Sequence, residues 1–162
     1  MTRVAVISDT HMPRGSRALP QECVDRLAAA DLILHGGDVT EGAVLETLGE
    51  LGPLHAVYGN MDSPDLRASL PKEHVVEAGG ARIGMVHIPG PAAGRSARLV
   101  ARFPQCDAVV YGHTHIPEVS REGATWILNP GSPTERRKAP SRTMLELEIE
   151  NGEIRPLLVE LP

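Results

Sequence analysis

Short apolar runs alternate with amphipathic segments over the first third of the chain. The apolar runs are Thr2–Ile7, residues 31–35 and residues 54–58, and each is typical of a buried strand. Between them, Pro20 is well placed to begin one helix, and residues 41–51 show helical spacing behind a candidate cap at Thr40. The order β-α-β-α-β predicts a parallel sheet, whose functional loops lie at the carboxyl ends of its strands.

The second half of the chain is mostly strand-like. Residues 74–78 and 81–87 flank a Gly-Gly pair, which predicts a hairpin, and Asn151-Gly152 is the strongest hairpin turn in the chain. A short helix is expected over residues 96–103. Further strands are expected at residues 107–111, 118–121, 125–128, 143–149 and 154–159. We therefore expect one domain, residues 1–162, in which two sheets pack face to face with helices outside.

Composition restricts the classes of partner. Of the 162 residues, 41% are hydrophobic and only 2% aromatic, so aliphatic side chains must build the core. The formal net charge of −5 argues against strong nonspecific nucleic-acid binding, which depends on basic side chains. No apolar run approaches the roughly 20 residues of a membrane helix, and the N-terminus does not resemble a signal peptide, so we expect a cytoplasmic protein. Cys23 and Cys106 are expected to be free thiols, and the sequence leaves open whether the chain forms a homo-oligomer.

Five polar segments follow the strand-like runs. They are Asp9-Thr10-His11, Gly37-Asp38, Gly59-Asn60-Met61-Asp62, His87 and Gly112-His113-Thr114-His115. Setting Asp62 aside, they offer two Asp, one Asn and four His, and these donors suit divalent Mn, Fe, Ni or Zn. Asp9 and His11 stand two residues apart, so an extended backbone would direct both side chains to one side, and the same holds for His113 and His115. Such a donor set is large enough for two ions that share a carboxylate, and sites of that kind typically hydrolyse phosphate esters.

The order D-x-H, GD, GN, H and GHTH resembles the calcineurin-like metallophosphoesterase superfamily. The short chain and the Gly-Asn-x-Asp variant resemble its small bacterial and archaeal phosphodiesterase branch, as does Asn129-Pro130-Gly131-Ser132. The resemblance implies an α/β fold, a four-layer α/β/β/α sandwich of two packed mixed sheets with flanking helices, which agrees with the pattern of predicted elements. It also implies activity that depends on two divalent metal ions, commonly manganese.

The resemblance further implies a role for each matching residue. The first ion would be held by Asp9, His11, Asp38 and His115. Asp38 would bridge to a second ion, which would also be held by Asn60, His87 and His113. Asp62 would orient a ligand through a hydrogen bond, and His35 is expected to be buried behind the site. The implied reaction is attack on a phosphoester by a hydroxide that bridges the two ions, with Asp38, Asn60 and His87 as the catalytic residues.

Two departures from the family pattern affect the expected chemistry. Many members of the superfamily have His after the Gly-Asn pair, as a proposed acid for the leaving group, whereas this chain has Met61, which has no transferable proton. Family members usually have Gly directly after the His that ends the fourth segment, whereas His87 is followed by Ile88 and Pro89. The first departure predicts a preference for diesters with good leaving groups over alkyl phosphomonoesters.

Three functions compete at this point. The one that the residues favour is a metal-dependent phosphodiesterase acting on a small or nucleotide-like phosphorylated substrate. A phosphomonoesterase or pyrophosphohydrolase could use the same ions, and a binding scaffold could keep the fold without the chemistry, as in a retromer subunit that resembles this fold and lacks part of the ligand set. All seven ligand positions are filled here, which favours an enzyme. The sequence assigns no substrate-binding residue, and the basic run at residues 136–138 is most simply a solvated loop.

Overall fold

A computed structural model describes all 162 residues as ten strands and four helices. The strands are β1 (Thr2–Ile7), β2 (Leu32–His35), β3 (Leu54–Ala56), β4 (Glu73–Ala78), β5 (Ala81–Val86), β6 (Ala108–Tyr111), β7 (Glu118–Glu122), β8 (Thr125–Asn129), β9 (Arg142–Glu150) and β10 (Glu153–Leu161). The helices are α1 (Gln21–Ala29), α2 (Gly42–Leu51), α3 (Pro64–Ser69) and α4 (Arg95–Arg102). The predicted hairpins β4–β5 and β9–β10 both form, with tight turns at Gly79-Gly80 and Asn151-Gly152.

The strands form two five-stranded sheets. The order in the first sheet is β10-β9-β1-β2-β3, and in the second it is β4-β5-β6-β8-β7. Strands β1, β2 and β3 run parallel, and so do β5, β6 and β8. The remaining strands pair antiparallel, so both sheets are mixed, as expected.

Side chains along β1 point alternately to the two faces of its sheet, and this explains how the layers stack. Val4 and Val6 point into a core of 17 buried residues that lies between the two sheets. Ala5 and Ile7 point to the opposite face, where they pack with residues of α1 and α2 such as Leu27 and Leu48. A third core lies under α4 on the far side of the second sheet. Because successive strand side chains face opposite sides, one strand serves two cores, and the predicted four-layer sandwich is confirmed.

Three local predictions were wrong. Strand β3 ends at Ala56 instead of residue 58. Thr40 does not cap α2, since Glu41 is the residue before the helix and the Thr40 hydroxyl donates to the Met12 carbonyl instead. Helix α3 was missed because six residues are too short to show helical periodicity. The available signal was Ser63 before Pro64, since the Ser63 hydroxyl accepts from the Leu66 N–H at 3.3 Å and proline suits the first helical position.

Cys23 and Cys106 are both buried and free, as predicted, and they belong to different cores. None of the four helices combines the length and the hydropathy that a membrane-crossing helix requires.

Candidate metal centre

The predicted ligands gather where the carboxyl ends of parallel strands from both sheets meet. Asp9 and His11 follow β1, Asp38 follows β2, Asn60 follows β3, His87 follows β5, and His113 and His115 follow β6. Backbone hydrogen bonds join the first two loops, because the Asp9 N–H donates to the Gly37 carbonyl at 2.9 Å and the His11 N–H to the Asp38 carbonyl at 3.0 Å. The sheets therefore bring five separate segments to one place.

Two carboxylate oxygens stand at the middle of the cluster. Asp9 Oδ1 lies 3.8 Å from His11 Nε2, 3.7 Å from His87 Nε2 and 3.4 Å from His115 Nε2. Asp38 Oδ2 lies 3.3 Å from His11 Nε2 and 3.1 Å from His87 Nε2. Two groups of donors are close enough to hold an ion each: Asp9 with His11 and His115, and Asp9 with Asp38 and His87. Asp9 belongs to both groups, whereas the resemblance assigned it to the first ion alone.

The central atoms of this cluster are buried and lack hydrogen-bond partners. Asp9 Oδ1 and the Nε2 atoms of His11, His87 and His115 are four such atoms, and Glu135 supplies the only other one in the chain. A buried polar atom without a partner is costly, and native proteins rarely leave one unexplained. Four of them that converge, all of types that bind divalent metal, are what a metal centre requires. The residues present therefore fit the ions that the sequence predicts.

Hydrogen bonds orient two of the histidine rings, those of His87 and His115, towards the carboxylates. His87 Nδ1 lies 2.7 Å from the Gly36 carbonyl, and His115 Nδ1 lies 2.6 Å from the Glu135 carbonyl. A carbonyl can only accept, so each Nδ1 must carry the proton and donate it. The Nε2 lone pair of each ring is then free and faces the carboxylates, which is the usual arrangement of a metal-binding histidine.

The two aspartates are held in a similar way. Asp9 Oδ2 accepts from the Ser8 hydroxyl at 2.6 Å and from the His113 N–H at 3.1 Å. Asp38 Oδ1 accepts from the Met61 N–H at 2.8 Å. In each carboxylate one oxygen is fixed by the surrounding loops, and this leaves the other oxygen directed at the centre.

Asn60 and His113 lie on the open side of the cluster. Both are exposed, and Asn60 Oδ1 lies 3.1 Å from His113 Nδ1. The His113 ring meets that of His87 edge to face, with centroids 5.4 Å apart. These two predicted ligands therefore stand beside the buried donors, between them and solvent.

The ligand loops have an unusual backbone. Nine residues other than glycine have a positive φ, and five of them are the predicted ligands Asp9, His11, Asp38, His113 and His115. The expected extended backbone at the two i, i+2 pairs is therefore wrong. Each ligand instead sits in a left-handed turn, a conformation that costs energy for these residues and concentrates at functional sites.

Asp62 and His35 lie behind the ligands. The buried Asp62 carboxylate accepts three backbone N–H groups: those of Asp38 at 3.0 Å, Gly59 at 2.6 Å and Thr40 at 2.7 Å. His35 is fully buried and accepts the Gly37 N–H at Nδ1, at 3.1 Å, so its Nε2 carries the proton and donates to Thr10 Oγ1. Neither side chain belongs to the candidate ion-binding groups, and both support the loops that do.

The segment at residues 129–132, whose sequence resembles the small phosphodiesterase branch, supports two loops that carry predicted ligands. The Asn129 amide nitrogen donates to the Gly112 carbonyl at 3.3 Å and to Thr114 Oγ1 at 3.1 Å. The Ser132 hydroxyl donates to the Asp9 carbonyl at 2.8 Å. Both side chains are buried, and Asn129 ends β8, the neighbour of β6. Its position at the end of a parallel strand could have indicated a role for Asn129 at the site. Ser8 also contacts Asp9, but nothing in the sequence indicates its role.

The electrostatics of the cluster favour cations. Burial by itself would raise the pKa of Asp9, but contacts with His11 and His115 and the charge of His87 hold that pKa well below its ordinary value. Burial likewise opposes ionisation of Asp38, and the close approach of His87 lowers its pKa. The pKa values of His87 and His115 are raised, because the carboxylates outweigh the effect of burial. The cluster thus holds two anionic carboxylates in a buried place, where they attract positive charge.

Glycines keep the space next to the carboxylates open. A Cβ at Gly59 would lie 2.1 Å from Asp38 Oδ1. A Cβ at Gly112 would lie 2.3 Å from Ser8 Oγ and 2.7 Å from Asp9 Oδ2. Contacts this short do not occur, so the motif glycines are required by the close approach of backbone to ligand.

Comparison with known proteins agrees with this geometry. The family model of the calcineurin-like phosphoesterase superfamily domain matches residues 2–152. The chain belongs to this superfamily. Probable metallophosphoesterases of Methanocaldococcus jannaschii and Methanothermobacter thermautotrophicus are 35% identical over 151 residues and 33% identical over 150 residues, respectively. The alignments cover 91% of this chain in both cases, and 76% and 87% of the relatives.

Among solved structures, the chain is similar to wild-type Vps29 of Entamoeba histolytica complexed with Zn²⁺. That protein is 27% identical, with a TM-score of 0.77 and 98% of both chains covered. Membership of the superfamily makes this chain a phosphoesterase in the general sense, with candidate residues for divalent metal.

Proposed function

We propose that this protein is a metal-dependent phosphodiesterase that hydrolyses a small or nucleotide-like phosphodiester. The observation that supports metal dependence is the convergence of four buried atoms without hydrogen-bond partners on Asp9, His11, His87 and His115. Two ions are proposed because the donors fall into two groups that share Asp9. Manganese is the expected metal, and Fe, Ni or Zn would suit the same donors.

Each residue has a distinct task in the proposed site. Asp9, His11 and His115 would hold one ion, and Asp38, His87, Asn60 and His113 would complete the other, with Asp38 between the two. Bound ions supply a nucleophile at neutral pH and neutralise charge on the phosphoryl oxygens. The exposed side chains of Asn60 and His113 lie where a substrate would approach, so they would position its phosphoryl group. Asp62 would hold the loops that carry Asp38 and Asn60 in their positions relative to each other.

The preference for diesters is supported by Met61. Its side chain is 57% exposed, and only its backbone N–H contacts the site, at Asp38 Oδ1. A thioether has no proton to give, so Met61 cannot protonate a leaving group, and an activated leaving group that departs as an anion suits the site best. Hydrolysis rates should fall steeply as the pKa of the leaving group rises, and a flat dependence would contradict this part of the proposal.

The first experiment is reconstitution of metal-free protein with manganese, followed by metal analysis and a screen of aryl phosphodiesters, phosphomonoesters and pyrophosphates. Wild-type protein should bind two ions per chain and hydrolyse diesters. Asp38→Asn should lose both the second ion and the activity, because Asp38 belongs to the second group of donors and an uncharged amide binds a divalent ion less strongly than a carboxylate. Asp65→Asn, an exposed aspartate of α3, is the matched control and should behave as wild type. Binding of fewer than two ions, or an active Asp38→Asn, would refute the shared-carboxylate site.

A binding scaffold is the second candidate, because the similar structures include Vps29. Its full name, vacuolar protein sorting 29, describes a sorting protein and not an enzyme. One of them contains Zn²⁺, so metal binding does not separate the two functions. Turnover does, since a fully loaded protein that hydrolyses none of the three substrate classes would favour the scaffold.

A further inference from the structure

A small pocket opens directly beside the candidate metal centre. It has a volume of about 190 Å³, and Asn60 and His87 form part of its wall. Two cationic residues, Arg67 and Lys72, also line it, and the remaining lining residues are Tyr58, Gly59, Val86 and the half-exposed Ile88. Because the pocket shares two residues with the metal centre, any group bound in it would lie next to the proposed reacting phosphoryl group.

The fold places the backbone of both cationic residues beside this pocket. Arg67 is in the last turn of α3, and its guanidinium carbon lies 5.5 Å from the centre of the Tyr58 ring. Lys72 follows Pro71, whose carbonyl accepts the Tyr58 N–H at 3.1 Å. That bond ties the segment before Lys72 to the stretch of chain between β3 and Asn60. The pocket is therefore assembled by the helix that follows the third ligand segment.

The positive charge in the pocket is not neutralised by the protein. Neither Arg67 nor Lys72 forms an ion pair or a side-chain hydrogen bond. The other basic group near the site differs, because Arg14, Arg17 and Arg137 all lie within 4 Å of the Glu135 carboxylate. In a chain with a net charge of −5, two unpaired cationic side chains beside a metal centre are available to an anion.

The dimensions favour a compact anion over a nucleobase. Pockets for drug-sized ligands measure roughly 300–1,000 Å³, so this one takes a smaller group. The one aromatic ring in the pocket, that of Tyr58, is already covered by Arg67, which leaves that face unavailable for stacking on a base. Phosphate matches both the size and the charge, and arginine binds it well through its planar fork.

We propose that Arg67 and Lys72 form a subsite for a second phosphate group of the substrate. This inference rests on the proposed function and narrows its substrate class to small phosphoesters that carry a further phosphate a few bonds from the scissile one. The phosphoryl group to be cleaved would bind at the ions, and the second phosphate would bind between Arg67 and Lys72.

The test compares two probes on the zinc-loaded protein by calorimetry. Ethyl phosphate carries one phosphate, and ethane-1,2-diyl bisphosphate carries two. After correction for its two equivalent ends, the bisphosphate should bind wild-type protein about tenfold more tightly, since two exposed charge contacts together give an effect of that order. The preference should shrink as ionic strength rises. In the double variant Arg67→Gln/Lys72→Gln, the two probes should bind equally within about twofold.

Two further variants test whether the preference arises in this pocket or from positive charge elsewhere on the protein. Arg155→Gln, on the exposed edge of β10, removes the same charge far from the pocket and should keep the preference. Lys138→Gln tests the basic loop near the site. Absence of a preference in wild type, its persistence in the double variant, or its loss in Lys138→Gln would each overturn the proposal. The affinity ratio does not depend on turnover, so a protein without hydrolytic activity would refute the proposed function while leaving this subsite to be judged on its own.

Discussion

Replacement of Asp62 by Asn removes one negative charge and almost no volume, so it tests how far one buried carboxylate supports the site. The carboxylate accepts three backbone N–H groups, from Asp38 and Gly59 at one oxygen and from Thr40 at the other. An amide has only one accepting atom, and at best it keeps the first two bonds and turns its own N–H₂ towards Thr40. A buried donor without a partner costs about 1–3 kcal/mol, and each remaining bond weakens by about 1 kcal/mol when its acceptor becomes neutral. We therefore expect Asp62→Asn to lose about 3–5 kcal/mol of unfolding free energy, a large part of the stability of an ordinary domain.

The same change should weaken metal binding, because Asp62 fixes the backbone around Asp38 and directly before Asn60, two predicted ligands. Loss of a group that supports metal ligands typically costs about 10–100-fold in affinity. Denaturant unfolding of metal-free protein measures the first effect, and calorimetric titration with manganese measures the second. Asp65→Asn, exposed on α3 and without a hydrogen-bond partner, should change stability by less than about 1 kcal/mol. If Asp62→Asn unfolds like this control and binds manganese as wild type does, the carboxylate does not hold the loops together.

Three further changes test other parts of the structure. Gly59→Ala should abolish metal binding, because its Cβ would lie 2.1 Å from Asp38 Oδ1. Gly49→Ala is the control, since it has open space around its Cβ and should bind metal normally. Equal metal binding by the two variants would refute the clash. Burial lowers the pKa of His35 to about 4, so NMR should show a neutral ring with its proton on Nε2 down to about pH 5. As pH falls, His35 gains its proton near pH 6.5 in the unfolded chain but only near pH 4 in the folded protein. His35 should therefore reduce stability as pH falls from about 6.5 towards 4, and titration of the folded protein's His35 near pH 6.5 would contradict this. Ser63→Ala should cost about 1 kcal/mol in denaturant unfolding by removing the cap of α3, and an unchanged midpoint would show that the cap contributes nothing.

The apolar pattern of the sequence predicted the layers, because a strand that is covered on both faces needs apolar side chains at successive positions. Val4 and Val6 face one core while Ala5 and Ile7 face another, so the continuous apolar run of β1 is the pattern of a strand covered on both sides. The same logic placed the polar segments, since parallel strands direct their carboxyl ends to one edge. Composition and pattern were therefore sufficient for the architecture and for the edge at which the predicted ligands meet.

The local geometry of the site could not be predicted from the same signals. Helix α3 has six residues, fewer than two turns, and its apolar positions do not repeat. Thr40 satisfied the sequence preference for a helix cap, but Asp62 binds its N–H and Met12 accepts its hydroxyl, so tertiary contacts decided its conformation. Each of these errors lies next to a ligand loop, where contacts between distant segments outweigh local preference.

The left-handed backbone of the predicted ligands explains why local sequence preference fails here. A residue other than glycine pays about 1 kcal/mol or more for a positive φ, and Asp9, His11 and Asp38 all adopt one within two adjacent loops. Such a backbone persists only when its surroundings hold it, and here the Ser132 hydroxyl, the Asp62 carboxylate and the bonds between the two loops do so. In this backbone the side chains of Asp9 and His11, two residues apart, both reach the buried group of donors. The candidate site therefore depends on the residues that hold the predicted ligands as well as on those ligands, and substitutions at Ser132 or Asp62 should disturb it as much as some substitutions of the predicted ligands themselves.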